Sequence, residues 1–64
     1  MVAVFFKKEI DGQNEVKFDG ANGAFFDEQN GFFYLTYRDD CNITPIKVGQ
    51  FFADYLLGFY VEED

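Results

Sequence analysis

Residues 24–39 read Ala-Phe-Phe-Asp-Glu-Gln-Asn-Gly-Phe-Phe-Tyr-Leu-Thr-Tyr-Arg-Asp, two aromatic runs on either side of an Asn-Gly pair. Asn-Gly between apolar runs is the strongest local signal for a β-hairpin, because a type I′ turn requires positive φ at both central residues. The stretch therefore predicts two antiparallel strands joined at Asn30 and Gly31, with Gln29 opposite Phe32.

The two faces of this hairpin are both apolar. Side chains alternate across a strand, so one face is expected to carry Ala24, Phe26, Phe33, Leu35 and Tyr37. The other face is expected to carry Phe25, Phe32, Tyr34 and Thr36. Each of these faces needs a cover if it is to be removed from water.

Length and composition predict one small domain, residues 1–64, that is rich in aromatic area. A chain of 64 residues buries only about 60% of its unfolded surface. Ten Phe and four Tyr are more rings than so small a core requires, which suggests that some rings are exposed or covered by a second chain. Cys41 is the only cysteine and histidine is absent, so an internal disulfide is excluded and a zinc site is not expected.

The charge balance bears on partners. Twelve acidic residues against five basic ones give a net charge of −7, which disfavours direct binding of nucleic acid and of anionic membranes. The same charge suits a basic protein partner, and the alternative is that it serves solubility alone. The sequence shows no signal-peptide pattern or membrane-spanning run, and with a single unpaired cysteine we expect a cytoplasmic protein.

The start of the chain predicts a second hairpin. Residues 2–10 alternate as a strand does, and residues 11–14 are typical of a turn. A strand from Glu15 to Phe18 follows. We expect a three-residue loop, which places Val16 against Lys8 and Phe18 against Phe6, because a two- or four-residue loop would set Val16 opposite Glu9.

The end of the chain predicts a helix. Thr44 is a suitable N-cap, Pro45 a suitable first helical residue and Gly58 a suitable C-cap. Apolar residues recur at helical spacing at Val48, Phe51, Phe52, Tyr55, Leu56 and Phe59. The expected fold is therefore α+β, a four-stranded antiparallel sheet of two hairpins with one C-terminal helix packed on one face, in the order β-β-β-β-α. Phe52 and Tyr55 would then contact Phe26, Phe33 or Leu35, and an acidic tail, residues 62–64, would fray.

Enzymatic chemistry finds little support in the composition. The chain has neither serine nor histidine, and Cys41 follows two aspartates that would raise rather than lower a thiol pKa. Residues 19–23 are typical of a turn, since they lack the lysine and the helix of a phosphate-binding loop. We expect no catalytic residue, no metal site and no cofactor.

The expected function is protein binding. One helix can cover one face of the sheet only, which leaves Phe25, Phe32 and Tyr34 as apolar anchors on the other face. The candidate carboxylates are Asp27, Glu28, Asp39, Asp40, Glu62, Glu63 and Asp64. The leading hypothesis is an inhibitor that occupies a basic, nucleic-acid-binding surface of a larger enzyme, with carboxylates standing where phosphates would lie.

Two further points define that hypothesis. In size and composition, though in no motif, the chain is similar to short phage accessory proteins that act on host enzymes. The rival interpretation is a homodimer or assembly subunit that buries its aromatic sheet face or a strand edge against a copy of itself. Rising salt would weaken the first kind of association and not the second.

Overall fold

The computed structural model describes residues 1–41 and 43–62 and places six β-strands in two three-stranded antiparallel sheets. The strands are β1 (Val2–Ile10), β2 (Gln13–Phe18), β3 (Gly23–Asp27), β4 (Phe32–Tyr37), β5 (Ile46–Phe52) and β6 (Leu56–Val61). One sheet has the order β2-β1-β6 and the other β3-β4-β5, so the last strand returns to pair with the first. A 3-10 helical turn, Ala53–Tyr55, carries the chain from β5 to β6.

The core lies between the two sheets. Rings contact each other across the gap, with Phe33 of β4 5.0 Å from Phe59 of β6 and Phe6 of β1 5.4 Å from Phe51 of β5, measured between centroids. The buried side chains that form the core are Val2, Val4, Phe6, Ala21, Phe33 and Leu35. No side chain of the described residues is both polar and buried, so hydrophobic burial is the main term that holds the sheets together.

The predicted α+β fold is wrong, because the segment expected to be the helix forms β5, the 3-10 turn and β6. Pro45 does not begin a helix and Gly58 does not end one. Within the described residues the 3-10 turn is the sole helical segment. The protein is all-β.

Irregular strands and a 3-10 turn replace the single apolar helix face that the spacing predicts. The pairing of β4 with β5 shifts by one residue at Val48, and the pairing of β1 with β6 shifts by one at Leu57. Each one-residue shift reverses which residues of the strand face the core, and the 3-10 turn interrupts the alternation between the two strands. The six residues of the predicted helical stripe therefore do not share one side. Phe51, Leu56 and Phe59 face the core, whereas Phe52 and Tyr55 lie on an outer surface.

The first hairpin differs from its prediction in register. β1 and β2 are joined by the two-residue loop Asp11-Gly12, both at positive φ (52° and 82°), which is the type I′ turn expected at Asn30-Gly31. Val16 pairs with Val4 and not with Lys8, and Phe18 pairs with Val2 and not with Phe6. Between the pairs Phe5–Glu15 and Ile10–Gln13, β1 has four residues and β2 has one. Because β1 takes up these extra residues, Val16 and Phe18 still pair with apolar residues.

The central hairpin forms as predicted in its strands but not in its turn. Asp27 pairs with Phe32, so the loop has four residues, 28–31, and Gly31 alone has positive φ, at 73°. The ladder is displaced from the predicted one by two residues. An even displacement keeps every side chain on its face, so the predicted distribution over the two faces is confirmed.

Candidate protein-binding face

The outer face of the β3-β4-β5 sheet carries a row of aromatic side chains. We call this row the aromatic face. Its members are Phe25 of β3, Phe32 and Tyr34 of β4, Phe52 of β5 and Tyr55 of the 3-10 turn.

The rings of the aromatic face contact one another in sequence. Phe25 stacks on Tyr34 at 6.3 Å between centroids, and Tyr34 lies 6.1 Å from Phe32. Phe52 follows at 5.4 Å from Phe32, and Tyr55 meets Phe52 edge-on at 5.8 Å and 87°. The five rings therefore form one continuous surface across three strands.

Much of this surface is open to solvent. Phe25, Phe52 and Tyr55 are 56%, 57% and 62% exposed, whereas Phe32 and Tyr34 in the middle of the row are partly buried by their neighbours. Contiguous apolar patches of this kind on a soluble protein usually mark an interaction site.

Strand register builds the row. Phe25 is paired with Tyr34, and Phe32 is paired with Phe52, so two pairs of rings lie directly across from each other. The backbone N–H of Ala53 donates to the carbonyl of Gly31 at 2.9 Å, which fixes the 3-10 turn beside the hairpin loop. This hydrogen bond places Tyr55 at the end of the row.

A cation already lies on the aromatic face. The ammonium Nζ of Lys47 lies 4.0 Å from the centroid of the Tyr34 ring. Such a contact is attractive because the face of the ring carries a partial negative charge. The Tyr34 ring, in the middle of the row, is therefore already covered by a cation of this chain.

Carboxylates border the same face near the hairpin loop. Asp27 accepts hydrogen bonds from the backbone N–H of Asn30 at 3.2 Å and from its side-chain Nδ2 at 2.8 Å. The hydrogen bond from the Asn30 side chain is the main reason that the pKa of Asp27 lies below its ordinary value of 3.8, and Lys47 adds a smaller effect. Two further exposed carboxylates are Glu28, which follows Asp27 in the loop, and Asp54, which lies in the 3-10 turn beside Tyr55 in the chain.

The structure separates the predicted site residues into two groups. Phe25, Phe32, Tyr34 and Asp27 come together on the outer face, with Glu28 in the adjoining loop. The other described carboxylates, Asp39, Asp40 and Glu62, line an open groove of about 810 Å³ at the opposite end of the sheet, together with Met1, Asn22 and Arg38. Glu63 and Asp64 lie outside the described residues.

The sequence pattern did not predict Phe52, Tyr55 and Lys47 as members of this face. Phe52 and Tyr55 were predicted to contact Phe26, Phe33 or Leu35, and this is wrong, since Phe51 and not Phe52 points into the core. No local signal could have placed them, because Lys47 and Phe52 share a face only through the extra residue at Val48, which is set by the pairing with β4.

Other kinds of site find no support in the described part of the chain. No three His, Cys, Asp or Glu side chains there are placed to hold a metal ion. No helix of residues 1–41 and 43–62 is long and apolar enough to cross a membrane. No protein-family model, curated protein or solved structure matches this chain.

Proposed function

We propose that this chain is a non-catalytic protein-binding module that docks a partner on its aromatic face. The observation that carries the proposal is the unbroken row of five rings on an outer sheet surface, three of them more than half exposed. Aromatic side chains at the centre of a contact surface supply most of the binding energy in protein interfaces. A row fixed by strand pairing also loses little side-chain entropy on binding.

The partner is a protein with a basic surface. The net charge of −7 attracts such a surface, and Asp27, Glu28 and Asp54 place carboxylates beside the rings. Arginine is the side chain best suited to this combination, because it stacks on aromatic rings and pairs with carboxylates. Because Lys47 already occupies the Tyr34 ring, the rings open to such an arginine are Phe25, Phe52 and Tyr55.

The more specific form of the proposal is an inhibitor in the cytoplasm that covers a basic, nucleic-acid-binding surface of a larger enzyme. In that form the rings anchor the module, and the carboxylates near the hairpin loop replace the phosphates of the nucleic acid. The acidic groove at the other end of the sheet would contribute long-range attraction and not direct contact.

Affinity capture from a cell lysate on three immobilised versions of the chain tests the proposal. The first is the wild type, the second carries Phe25→Ser and Phe52→Ser, and the third carries Ile46→Ser and Val48→Ser at exposed positions off the aromatic face. We expect basic proteins to be retained by the wild type and by the third protein, and lost by the second. Circular dichroism of all three checks that the fold is intact.

Salt provides the second measurement. Raising salt from about 0.1 M to about 1 M shortens the Debye length from about 10 Å to about 3 Å, so the retained proteins should bind more weakly, by the share of the binding energy that the charges supply. If the Phe25/Phe52 variant retains the same proteins as the wild type, the aromatic face is not the docking surface. If the retained proteins are acidic and resist salt, the basic partner is wrong.

A further inference from the structure

The pair Asn-Gly occurs twice in the chain, as Asn22-Gly23 at the start of β3 and as Asn30-Gly31 in the central hairpin loop. Asparagine is one of the thermolabile residues, because the backbone nitrogen of the next residue can attack its side-chain amide carbon. Glycine has no Cβ atom to hinder that attack. Both pairs are therefore chemically able to deamidate without an enzyme, and the structure holds them differently.

Asn22 is held at both polar atoms of its side chain. Nδ2 donates to the Arg38 carbonyl at 2.6 Å, and Oδ1 accepts from the Arg38 N–H at 2.9 Å. The backbone beside it is tightly packed, since a Cβ atom on Gly23 would lie 2.8 Å from the hydroxyl oxygen of Thr36. The Asn22 side chain can therefore reach the nitrogen of Gly23 only after both hydrogen bonds break, in a place with little room to move.

Asn30 is held less firmly. Among the described residues its side chain makes one hydrogen bond, from Nδ2 to the Asp27 carboxylate at 2.8 Å. It lies in an exposed loop, and a Cβ atom on Gly31 would meet nothing within 4 Å. The backbone N–H of Gly31 donates to the Asp27 carbonyl at 2.9 Å. Asp27 thus holds both the amide that would leave and the nitrogen that would attack.

We propose that Asn30 is a site of spontaneous deamidation, and that its contacts with Asp27 set the rate of the reaction and its effect on the hairpin loop. The Gly31 N–H gives its proton to water or hydroxide, and the nitrogen forms a bond to Cγ of Asn30. The bond from Cγ to Nδ2 breaks, and Nδ2 takes up a proton from water and leaves as ammonia. Water then opens the succinimide ring, which yields aspartate or isoaspartate in place of Asn30.

Asp27 slows this reaction. Its carbonyl holds the proton that the Gly31 nitrogen must lose, and its carboxylate holds the Asn30 side chain that must rotate. Its negative charge also opposes the anionic nitrogen and the oxyanion that form on the way to the ring, because like charges repel at short range. Asn30 should therefore react more slowly than in an unfolded chain, but faster than Asn22.

The product weakens the loop. An aspartate in place of Asn30 sets a carboxylate where a donor now lies 2.8 Å from the Asp27 carboxylate, so two negative charges meet where a hydrogen bond was. Isoaspartate also lengthens the main chain before Gly31, whose carbonyl accepts the Ala53 N–H at 2.9 Å and so positions the 3-10 turn. The inference concerns the chain alone and does not depend on the proposed docking function.

Incubation of the purified protein in mildly alkaline buffer, followed by trypsin digestion and mass spectrometry, tests the site. Cleavage after Lys17 and Arg38 gives one peptide that contains both asparagines, and its fragmentation tells which of them has become an acid. We expect Asn30 to convert faster than Asn22 in the folded protein, and the two to convert at equal rates in urea. An Asn22 that converts as fast as Asn30 in the folded protein, or a difference that persists in urea, would overturn the inference.

Asp27→Ala and Glu28→Ala test the role of Asp27. Each removes one carboxylate, and of the two it is Asp27 that is bonded to Asn30 and Gly31. We expect Asp27→Ala to convert several-fold faster at Asn30 and no faster at Asn22, and Glu28→Ala to convert as the wild type does. Equal rates at Asn30 in the two variants would contradict the role of Asp27.

Asp27→Asn keeps the test open if Asp27→Ala does not fold. It removes the charge and keeps an acceptor oxygen at the same position. We expect a smaller increase in the rate at Asn30, with circular dichroism as the check of folding. A folded Asp27→Asn variant that converts at the wild-type rate would contradict the role of Asp27.

Asn30→Asp and Asn14→Asp test the effect of the product. Both add one negative charge at an exposed position, and Asn14 lies on β2, outside the hairpin loop. We expect Asn30→Asp to lower the melting temperature and Asn14→Asp to leave it nearly unchanged. Equal shifts in the two variants would overturn the effect inferred for the hairpin loop.

Discussion

At the scale of single residues, Asp27 makes the stability of the hairpin loop depend on pH. Its carboxylate accepts two hydrogen bonds from Asn30, and these bonds lower its pKa in the folded protein. A group with a lowered pKa in the folded state adds stability above its unfolded pKa, and that contribution disappears as the pH falls through the folded value. The stabilisation by Asp27 should therefore be complete at neutral pH and lost in acid.

The measurement is urea denaturation of the wild type and of Asp27→Asn at a series of pH values from about 7 to about 2. The difference in unfolding free energy between the two proteins isolates Asp27 from the other carboxylates. We expect that difference to shrink as the pH falls below the ordinary pKa of 3.8. Two curves that stay parallel would show that Asp27 is not coupled to folding.

Gly31 and Gly20 give a second prediction at the same scale. Gly31 has a φ of +73°, whereas Gly20 lies outside the positive-φ region, and a Cβ atom at either position would meet nothing within 4 Å. Gly31→Ala should destabilise the protein by about 1–2 kcal/mol through backbone strain alone. Gly20→Ala should be neutral or stabilise by up to about 1 kcal/mol, because alanine reduces the entropy of the unfolded chain. Chemical denaturation of the two variants compares them, and equal effects would mean that the loop conformation is not the one described.

The residue scale also shows how far turn signals can be read from sequence. Both Asp11-Gly12 and Asn30-Gly31 are typical of a type I′ turn, and only the first pair adopts one. At Asn30-Gly31, the backbone N–H and the side-chain Nδ2 of Asn30 donate to the carboxylate of Asp27, and a four-residue loop forms instead. The acceptor of these hydrogen bonds, which compete with the type I′ turn, lies three residues before Asn30. A prediction from the Asn-Gly dipeptide alone does not include it.

At the scale of elements, Gly49 distinguishes the observed strand from the predicted helix. In a helix interior, Gly→Ala is worth about 1 kcal/mol of added stability. In β5, a Cβ atom on residue 49 would lie 3.1 Å from Cδ1 of the buried Leu35, so Gly49→Ala should destabilise. Gly58→Ala on β6 is the matched control, since its Cβ would meet nothing within 4 Å. Thermal denaturation followed by circular dichroism measures both, and a higher melting temperature for Gly49→Ala would favour the helix.

Four of the six strands could be predicted from the sequence. β1 to β4 could be located because each has a continuous alternation or an aromatic run between turn residues. β5 and β6 could not, because the extra residues at Val48 and Leu57 are visible only once their partner strands are known. Bulges are set by long-range pairing, so a local period cannot reveal them.

Part of the aromatic face could likewise be predicted from the sequence, and part could not. Phe25, Phe32 and Tyr34 could be placed together because an alternating hairpin has only two faces, and their grouping does not depend on the exact turn. Phe52 and Tyr55 could not, because their position follows from the pairing of Phe32 with Phe52 and from the bond between Ala53 and Gly31.

At the scale of the whole molecule, the thinness of the protein determines how its rings are used. The Cα atoms span 37 × 30 × 14 Å, which is two sheet layers and no more. The space between the layers holds the rings of Phe6 and Phe33, with Phe18 and Phe51 packed at its margin. Rings on the outer faces have no third layer of this chain above them, and the aromatic face is one consequence.

The last prediction follows from that division between inner and outer rings. Phe33 is fully buried between the sheets, and Phe52 is 57% exposed on the aromatic face with neighbours Phe32 and Tyr55. Phe33→Ala should cost about 3–5 kcal/mol, because it leaves a cavity that the two sheets share. In a domain of this size such a loss is a large share of the total stability, so the variant should be largely unfolded.

Phe52→Ala should cost much less, about 1 kcal/mol, because it removes ring contacts at the surface and opens no cavity. Urea denaturation of the two variants gives both values. A Phe52→Ala variant as unstable as Phe33→Ala would mean that the outer row belongs to the stabilising core of the chain. In that case its rings would serve the stability of the fold, and a partner would have to bind the carboxylates of the hairpin loop or the acidic groove instead.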